Sequence, residues 1–419
     1  TRPGRAASGT RGRLRDTPRV RLILYTGKGG VGKTTSAAAT AAWAAETGRR
    51  TLVASADAAH SLGDVFGAEG ALGGTPVSLA PNLDAVELDP RIELERHWRR
   101  IHGYLVSLLR HQGIEEIVAD ELALLPGAEE ITTLLAVRRM AEAGDYDLVI
   151  VDCAPTGSAL RLMTAPEVVR GALRWLLRIQ RGIASVATPI ARGLVAIPLP
   201  EAAVFREAEE LLYRQLRDLR AWLVREETHV RLVATPERLA TEEALRTHTD
   251  LALFELPCDA VVMNRLLPES ASQEPFFRDW ARSEAEHLAA LREAVAPLPV
   301  LEAPLREDEV IGVEALAAHG RELFGDTAPD AILCHSPGLR FEATASGASV
   351  HVPLPHVSAA DLDVLKLDGE IVLRTPGRRR ALPLPRHFAA LDLVRAKLDG
   401  GTLRLDLAPP TNDDTAAPS

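Results

Sequence analysis

A glycine-rich loop follows the first apolar segment of the chain and carries two lysines. Gly27, four further residues, and then Gly32, Lys33 and Thr34 satisfy the pattern of a phosphate-binding loop. Its glycines let backbone N–H groups face a polyphosphate, Lys33 reaches the β and γ phosphates, and the Thr34 hydroxyl can bind Mg²⁺. A nucleoside triphosphate site is therefore predicted. Its loop residues are Gly27, Lys28, Gly29, Gly30, Val31, Gly32, Lys33, Thr34 and Thr35.

The second lysine, Lys28, is one more than a phosphate-binding loop requires. It lies on the outer limb of the loop, where it would compete with Lys33 for the same nucleotide. It is better placed to reach a nucleotide held by a second copy of the chain. The alternative is an ordinary solvated surface lysine.

Three polar residues follow strand-like apolar runs and can complete this site. Asp152 closes the run LVIVD, where a carboxylate faces the Mg²⁺ of a phosphate-binding loop and coordinates it in the outer sphere. Asp57 ends TLVASAD and can orient or deprotonate the attacking water. Asn264 follows DAVVM, and its amide can bond a purine ring. The alternatives are helix caps for the two acids and an ordinary turn for Asn264.

The first three quarters of the chain alternate strand-like and helical segments. Apolar runs such as RLILYT, LVIVDCA and HVRLVAT are separated by helical stretches between about 20 and 325, which predicts a mostly parallel sheet covered on both faces. Two stretches, about 91–143 and 158–230, exceed a simple crossover, so we expect a helical subdomain. The second contains an apolar, proline-broken segment, which indicates either packed helices or a groove for an apolar partner.

The pattern of apolar and polar residues changes after the region predicted to form the parallel sheet. Residues 326–337 resemble a linker, and residues 338–408 alternate with a period of two between Asp-Gly turns, which predicts a small antiparallel β-sandwich. Residues 1–19 hold six arginines and one acid, so this basic arm is expected to be disordered, with a transit peptide as the alternative. The tail 409–419 is also expected to be disordered.

Length and composition disfavour several classes of protein. A length of 419 residues favours two domains, and a net charge of −10 argues against nucleic acid as a partner. The three cysteines are far apart, which disfavours a disulfide framework or a structural zinc site. No uninterrupted apolar run is long enough for a membrane span or anchor, so the cytoplasm is the expected location.

Taken together, GKGGVGKTT, DAAHSLGD, VDCAPTGSALRLM and VVMNRLLPE resemble the ArsA-type ATPases, which include arsenite-pump ATPases and targeting factors for tail-anchored membrane proteins. The resemblance covers about 20–325. It implies ATP as the nucleotide and a homodimer facing nucleotide to nucleotide, in which Lys28 crosses the interface and Asp57 prepares the hydrolytic water. It also implies that Pro304 and Leu305 border the adenine, and that the helical insertion faces the client.

The C-terminal segment VPLPHVSAADLDVLKLDGEIVLR is similar to an α-crystallin, or small heat-shock-protein-like, domain. The chain departs from the ArsA pattern at Ala58, Cys153 and Ser158, which puts the coupling between nucleotide and helical subdomain in question. It also lacks the C-x-x-C zinc clamp of the targeting factors and any clustered cysteines suited to trivalent arsenic.

Two functions follow from these observations. The first is an Mg²⁺-dependent ATPase whose dimer opens and closes with the nucleotide and binds a hydrophobic protein client, as in a chaperone or membrane-protein targeting role. The second is an ATPase subunit that drives a membrane pump for arsenite or other metalloid anions. This alternative expects arsenite to stimulate ATP turnover through Cys153 or Cys258.

Overall fold

The computed structural model describes residues 20–56, 61–111, 115, 127–152, 210–367 and 369–410. Over these ranges the chain forms one eight-stranded sheet, followed by antiparallel sheets of four and three strands. The strands of the large sheet are β1 (Arg21–Gly27), β2 (Thr51–Ser55), β3 (Val77–Ala80), β4 (Leu83–Glu87), β5 (Leu148–Asp152), β6 (Thr228–Ala234), β7 (Cys258–Leu266) and β8 (Val300–Pro304).

The large sheet is parallel except at one edge. Its strand order is β3-β4-β2-β5-β1-β6-β7-β8, and only the β3–β4 pairing is antiparallel within the described residues. β1 lies between β5 and β6, and Leu22, Ile23 and Leu24 are completely buried. Such continuous apolar strands are expected where both faces of a parallel sheet are covered. The predicted α/β fold class is confirmed.

Helices cover both faces of this sheet. In chain order they are α1 (Lys33–Glu46), α2 (Ser61–Phe66), α3 (Pro90–His111), α4 (Ala128–Ala143), α5 (Leu216–Leu223), α6 (Arg238–Leu253), α7 (Glu269–Ser272), α8 (Arg278–Val295) and α9 (Val313–Phe324). Short turns of other helix types span Glu210–Gln215, Pro275–Phe277 and Ala359–Asp361. Within the described ranges, no helix combines the length and the apolar character needed to cross a bilayer.

Small residues hold α1, the helix after the glycine-rich loop, close to its neighbours. Ala39 is completely buried, and a Cβ placed on Gly320 of α9 would come within 2.4 Å of the Ala39 carbonyl oxygen. The two helices therefore pack so closely that any side chain at position 320 would clash with the backbone of α1. The hydroxyls of Tyr25 in β1 and Thr40 in α1 lie 2.6 Å apart. These contacts fix α1 against the sheet.

The sequence patterns find most elements of this region. The apolar runs predicted as strands form β1, β2, β5, β6, β7 and β8. β3 and β4 were not predicted, since β3 has four residues, is only partly buried and lies at an edge. The predicted helical stretch 91–143 contains α3 and α4, whereas most of 158–230 lies outside the described residues and its last residues belong to β6.

The C-terminal strands form the two smaller sheets. They are β9 (Arg340–Thr344), β10 (Gly347–Pro353), β11 (Asp363–Leu367), β12 (Glu370–Thr375), β13 (Arg378–Pro383), β14 (Asp392–Asp399) and β15 (Thr402–Ala408), with the short helix α10 (Arg386–Ala389). Their orders are β14-β15-β10-β9 and β11-β12-β13. Apolar side chains of both sheets, among them Val350, Leu373 and Leu405, share one core, so the predicted all-β sandwich forms.

Two buried arginines attach the segment before the sandwich to the large sheet. Arg21 Nη2 lies 2.8 Å from Asp259 Oδ2, and Arg231 Nε lies 3.2 Å from Asp259 Oδ1. One carboxylate cannot neutralise both guanidinium groups, and backbone carbonyls of residues 329–331 accept further hydrogen bonds from them at 2.9 to 3.5 Å. Removing one partner of such a buried set is costly, because it leaves an uncompensated charge.

His229 belongs to the same cluster and predicts a pH dependence of stability. Its ring Nδ1 lies 2.8 Å from Arg21 Nη1, and burial together with the Arg21 charge lowers the pKa of His229 to about 4. The unfolded chain, in which the pKa of histidine is about 6.5, therefore binds more protons than the folded chain below that pH. Stability from this group is complete above pH 6.5 and declines as the pH falls towards about 4.

We expect the wild-type free energy of unfolding, measured in urea, to decline by roughly 3 kcal/mol more than that of His229→Gln as the pH falls through this window. His387→Gln, which changes an exposed ring, should keep the wild-type dependence. Equal pH dependence in the His229→Gln and wild-type chains would show that His229 is not held neutral by the fold.

Candidate nucleotide-binding site

The glycine-rich loop joins the carboxyl end of β1 to the first turn of α1. Gly30 and Gly32 have φ angles of 80° and 91°, which disfavour residues with a side chain. Gly32 is the N-cap of α1, and the first turn of that helix has neither a side-chain cap nor an acidic residue. Its backbone N–H groups, together with the helix dipole, therefore favour an anion at this end. The geometry fits the predicted phosphate site.

The two lysines of the loop lie in different places. Lys33 Nζ donates a hydrogen bond to the Lys28 carbonyl oxygen at 3.3 Å, so its ammonium group is folded back over the loop that it is predicted to serve. The Lys28 side chain is exposed on the outer limb. There it lines a cavity of about 270 Å³ whose opposite wall is α6. In the structure, Lys33 is therefore folded over the loop and Lys28 is exposed, while the predicted roles of both lysines stay predictions.

Oxygen ligands for a cation gather at the same edge of the sheet. The hydroxyls of Thr34 in α1 and Ser61 in α2 lie 3.2 Å apart. Asp152 ends β5, is only 1% exposed, and is the register partner of Tyr25 in β1 and of Ser55 in β2. Hydroxyl and carboxylate oxygens are the donors that Mg²⁺ prefers, so this set fits the predicted ion. Asp57 lies outside the described residues.

Asn264, at the end of β7, holds the loop in place. Its Nδ2 donates to the Val31 carbonyl oxygen at 2.8 Å, and its Oδ1 accepts from the Arg265 N–H at 2.9 Å. Both ends of the amide are therefore engaged within the protein. The sequence did not reveal this bond between residues 233 positions apart. The amide keeps one further N–H and one further acceptor position, so a purine contact breaks neither bond, and that contact stays a prediction.

A cavity of about 530 Å³ adjoins the loop beside Gly32. Leu305 is fixed in its wall by a backbone hydrogen bond of 2.7 Å from its N–H to the Leu266 carbonyl oxygen. The structure brings five predicted residues together here and adds Arg265, Arg306, Ile311 and His319, which the sequence patterns did not identify. The five predicted residues that line it are Gly32, Thr35, Asn264, Pro304 and Leu305.

His319 is the most unusual of the added residues. It is 4% exposed, and its Nδ1 has no hydrogen-bond partner among the described residues. Burial and the neighbouring Arg306 charge lower the pKa of this histidine, so its ring is neutral near pH 7. A sequence signal was present, since His319 lies in α9, the helix that begins directly after the segment PLREDEVIG. A lone histidine in a helix does not, however, indicate a site by itself.

Gly32 and Asn264 together predict a specific pattern of stability. A Cβ on Gly32 would lie 2.2 Å from Asn264 Nδ2, whereas a Cβ on Gly30 meets no atom within 4 Å. Gly30→Ala is expected to cost only the strain of a positive φ, about 1–2 kcal/mol. Gly32→Ala should cost more, because it adds the steric conflict.

In urea unfolding, Gly32→Ala combined with Asn264→Ala should cost less than the sum of the two single substitutions, by about 1 kcal/mol or more. The shortfall is expected because removing the amide relieves the conflict. Strict additivity would mean that the loop does not lie against Asn264.

Comparison with known proteins agrees with this geometry. The family model of anion-transporting ATPases matches residues 20–325, and a model of the HSP20-like domain found in ArsA proteins matches residues 345–407. A protein of Aquifex aeolicus with the provisional name arsenical pump-driving ATPase 1 is 33% identical over 388 residues, which cover 91% of this chain and 98% of that relative.

Two further relatives span most of the chain. A protein of Chlorobaculum tepidum, provisionally named an arsenical pump-driving ATPase, is 31% identical over 89% of this chain and 92% of its own length. An uncharacterized protein of Streptomyces coelicolor is 32% identical over 93% of this chain and 98% of its own length. Since the anion-transporting ATPase model covers more than half of the residues, the chain belongs to the ArsA family of ATPases and carries that family's HSP20-like domain near its C-terminal end.

Proposed function

We propose that this ATP-hydrolysing enzyme works as a homodimer, in which Lys28 of one copy contacts the nucleotide held by the other. The observation that carries the proposal is the separation of the two lysines. Lys33 lies against its own loop, whereas Lys28 is exposed on the outer limb. A cation in that position can stabilise charge that develops on a phosphate presented from outside, which is the role of an arginine finger supplied in trans.

Within one copy, the loop supplies most of the phosphate contacts. The N–H groups at the start of α1 are oriented towards the phosphates before any ligand binds, so little reorganisation is needed during hydrolysis. The Lys33 ammonium group exchanges its bond with the Lys28 carbonyl for the β and γ phosphates. In this proposal Asp57 orients the attacking water and accepts its proton.

Thr34 and Asp152 would hold Mg²⁺, the hydroxyl directly and the carboxylate through water. When bound, this ion neutralises charge on the β and γ phosphates. Asp152 suits this role because it ends a buried strand beside β1 and is fixed by pairing on both sides. The cavity beside Gly32 would receive the adenosine, with Pro304 and Leu305 as its apolar border.

A hydrophobic protein client is the proposed substrate of the opening and closing dimer, and the cytoplasm its proposed location. The apolar segment within 158–230, outside the described residues, is the candidate client surface. Two of the three cysteines are described, and both are free thiols, which fits a reducing compartment. The net charge of −10 continues to argue against a nucleic acid as partner.

The second candidate is an ATPase that drives metalloid efflux, and the names of the relatives favour it. The described thiols do not. Cys258 is 2% exposed, donates its S–H to the Ala260 carbonyl oxygen at 3.5 Å, and has a pKa raised by burial. Burial also raises the pKa of Cys334. Protonated thiols are poor ligands for a soft metalloid, so arsenite stimulation through Cys258 is not expected.

Lysine substitutions test the proposed roles. Lys33→Ala should lower kcat about 100-fold or more, because a charge-stabilising donor is lost from the transition state. Lys28→Ala should also lower kcat strongly while leaving the Kd for ATP largely unchanged. Steady-state phosphate release and equilibrium binding of a fluorescent ATP analogue measure the two quantities.

Lys397→Ala is the matched control, since Lys397 pairs with Asp399 on the surface of the C-terminal sandwich. It should behave as wild type. A wild-type turnover rate in Lys33→Ala would remove the basis of the proposal, and a large loss of ATP affinity in Lys28→Ala would instead place Lys28 on its own nucleotide.

A further inference from the structure

The C-terminal sandwich is attached to the last turn of α6. Arg378 of β13 donates from Nη2 to Asp250 Oδ2 at 3.2 Å and also pairs through Nε with the other carboxylate oxygen. The Thr249 hydroxyl donates to the Pro355 carbonyl oxygen at 2.8 Å. The Arg378 and Asp250 side chains are 23% and 30% exposed, so the pair is less screened by solvent than an ordinary surface ion pair.

Further contacts surround this ion pair. The rings of His248 and His356 share a hydrogen bond of 3.0 Å between Nδ1 and Nε2. Arg380 pairs with Glu255 just after the helix, and its guanidinium lies 5.4 Å from the centre of the Phe254 ring. The sandwich thus contacts the end of α6 through several side chains. Among them, Arg378 and Asp250 form a bidentate ion pair.

The preceding turns of the same helix border the outer lysine. Glu243, Arg246 and Thr247 of α6 line the cavity of about 270 Å³ whose remaining wall contains Gly27 and Lys28. The position of α6 therefore shapes the space in which Lys28 works.

Arg246 contacts both the cavity beside Lys28 and the C-terminal sandwich. Its side chain lines the Lys28 cavity, and its backbone carbonyl accepts a hydrogen bond of 3.0 Å from Arg378 Nη2. Arg246 and Asp250 are four residues apart, which places them one turn apart on the same helix face. A helix moves as a rigid element over so short a distance, so displacing Asp250 displaces Arg246.

The cavity proposed for adenosine has a different lining. Its walls come from the loop, from β7, from α2 and from residues 304–319, and α6 contributes none of the lining residues identified there. A change in α6 can therefore alter the surroundings of Lys28 without altering the site of the nucleotide base. This separates an effect on turnover from an effect on binding.

We propose that Arg378 and Asp250 are positioning residues for ATP hydrolysis, acting through α6 on Lys28. The C-terminal sandwich then sets the orientation of the outer lysine towards the partner copy. The inference rests on the proposed action of Lys28 in trans. It assigns the sandwich a part in turnover that is independent of any client it binds.

The test uses the full-length chain with Arg378→Ala. We expect kcat to fall about 3- to 10-fold, with the Kd for ATP changed by less than about 2-fold, since only the position of a catalytic group is affected. The matched control is Arg404→Ala, because Arg404 is an exposed arginine of the same sandwich that pairs with Asp406 of its own strand at 2.8 Å. The control should keep the wild-type kcat.

Two further variants distinguish positioning from general damage. Exchanging the pair, Asp250→Arg with Arg378→Asp, should recover most of the lost kcat. Adding Arg378→Ala to Lys28→Ala should lower kcat no further, because the two changes act on one group. A thermal unfolding scan of each variant confirms that it is folded.

An unchanged kcat in a folded Arg378→Ala chain overturns the inference, and so does a loss that adds in full to that of Lys28→Ala. These results differ from a failure of the proposed function. If Lys28→Ala itself turns over ATP at the wild-type rate, the trans role of Lys28 fails, whatever Arg378→Ala does.

Discussion

The burial of β1 between β5 and β6 is the constraint on which the site depends. All three strands run parallel, so their carboxyl ends meet at one edge, where the glycine-rich loop, Asp152 and the end of β6 lie side by side. An open α/β sheet presents its ligand site at this edge. Completely buried apolar residues in β1 hold the register, and a shift by one residue would turn them to the opposite face of the sheet.

Two contacts between residues far apart in sequence then hold the loop and the helix after it in place. Asn264 binds the loop through the Val31 carbonyl oxygen, and the alanine-rich α1 packs tightly against α9 at Gly320. The first contact fixes the loop from the side of the large cavity, and the second fixes the helix that follows it. Lys28 is left as the exposed cation of the loop, facing α6 and solvent.

Local sequence patterns predicted part of the fold and part of the site. The loop, Asp152 and the alternation of strands could be predicted, because glycine, lysine and carboxylate roles follow from spacing and because parallel strands end together. The Asn264–Val31 bond, the Arg378–Asp250 pair and the cluster of Arg21, Arg231 and Asp259 could not. Each joins residues far apart in sequence, and a charged residue in a strand ordinarily indicates an exposed face rather than a buried partner. β3 was missed because it is a short edge strand, and β4 because its five residues include the acids Asp84 and Glu87, which interrupt the apolar run.

Lys28 is proposed to act on the nucleotide of a partner copy, and mixing two inactive chains separates this action in trans from action in cis. One chain carries Lys28→Ala and the other Asp57→Asn, so each homodimer lacks a catalytic group at both sites. In a mixed dimer, the site on the Lys28→Ala chain has its own Asp57 and receives Lys28 from its partner. If Lys28 acts in trans, ATP turnover reappears on mixing and rises with the fraction of mixed dimer. Turnover that stays at the level of the separate variants would show that Lys28 does not act on the partner's nucleotide.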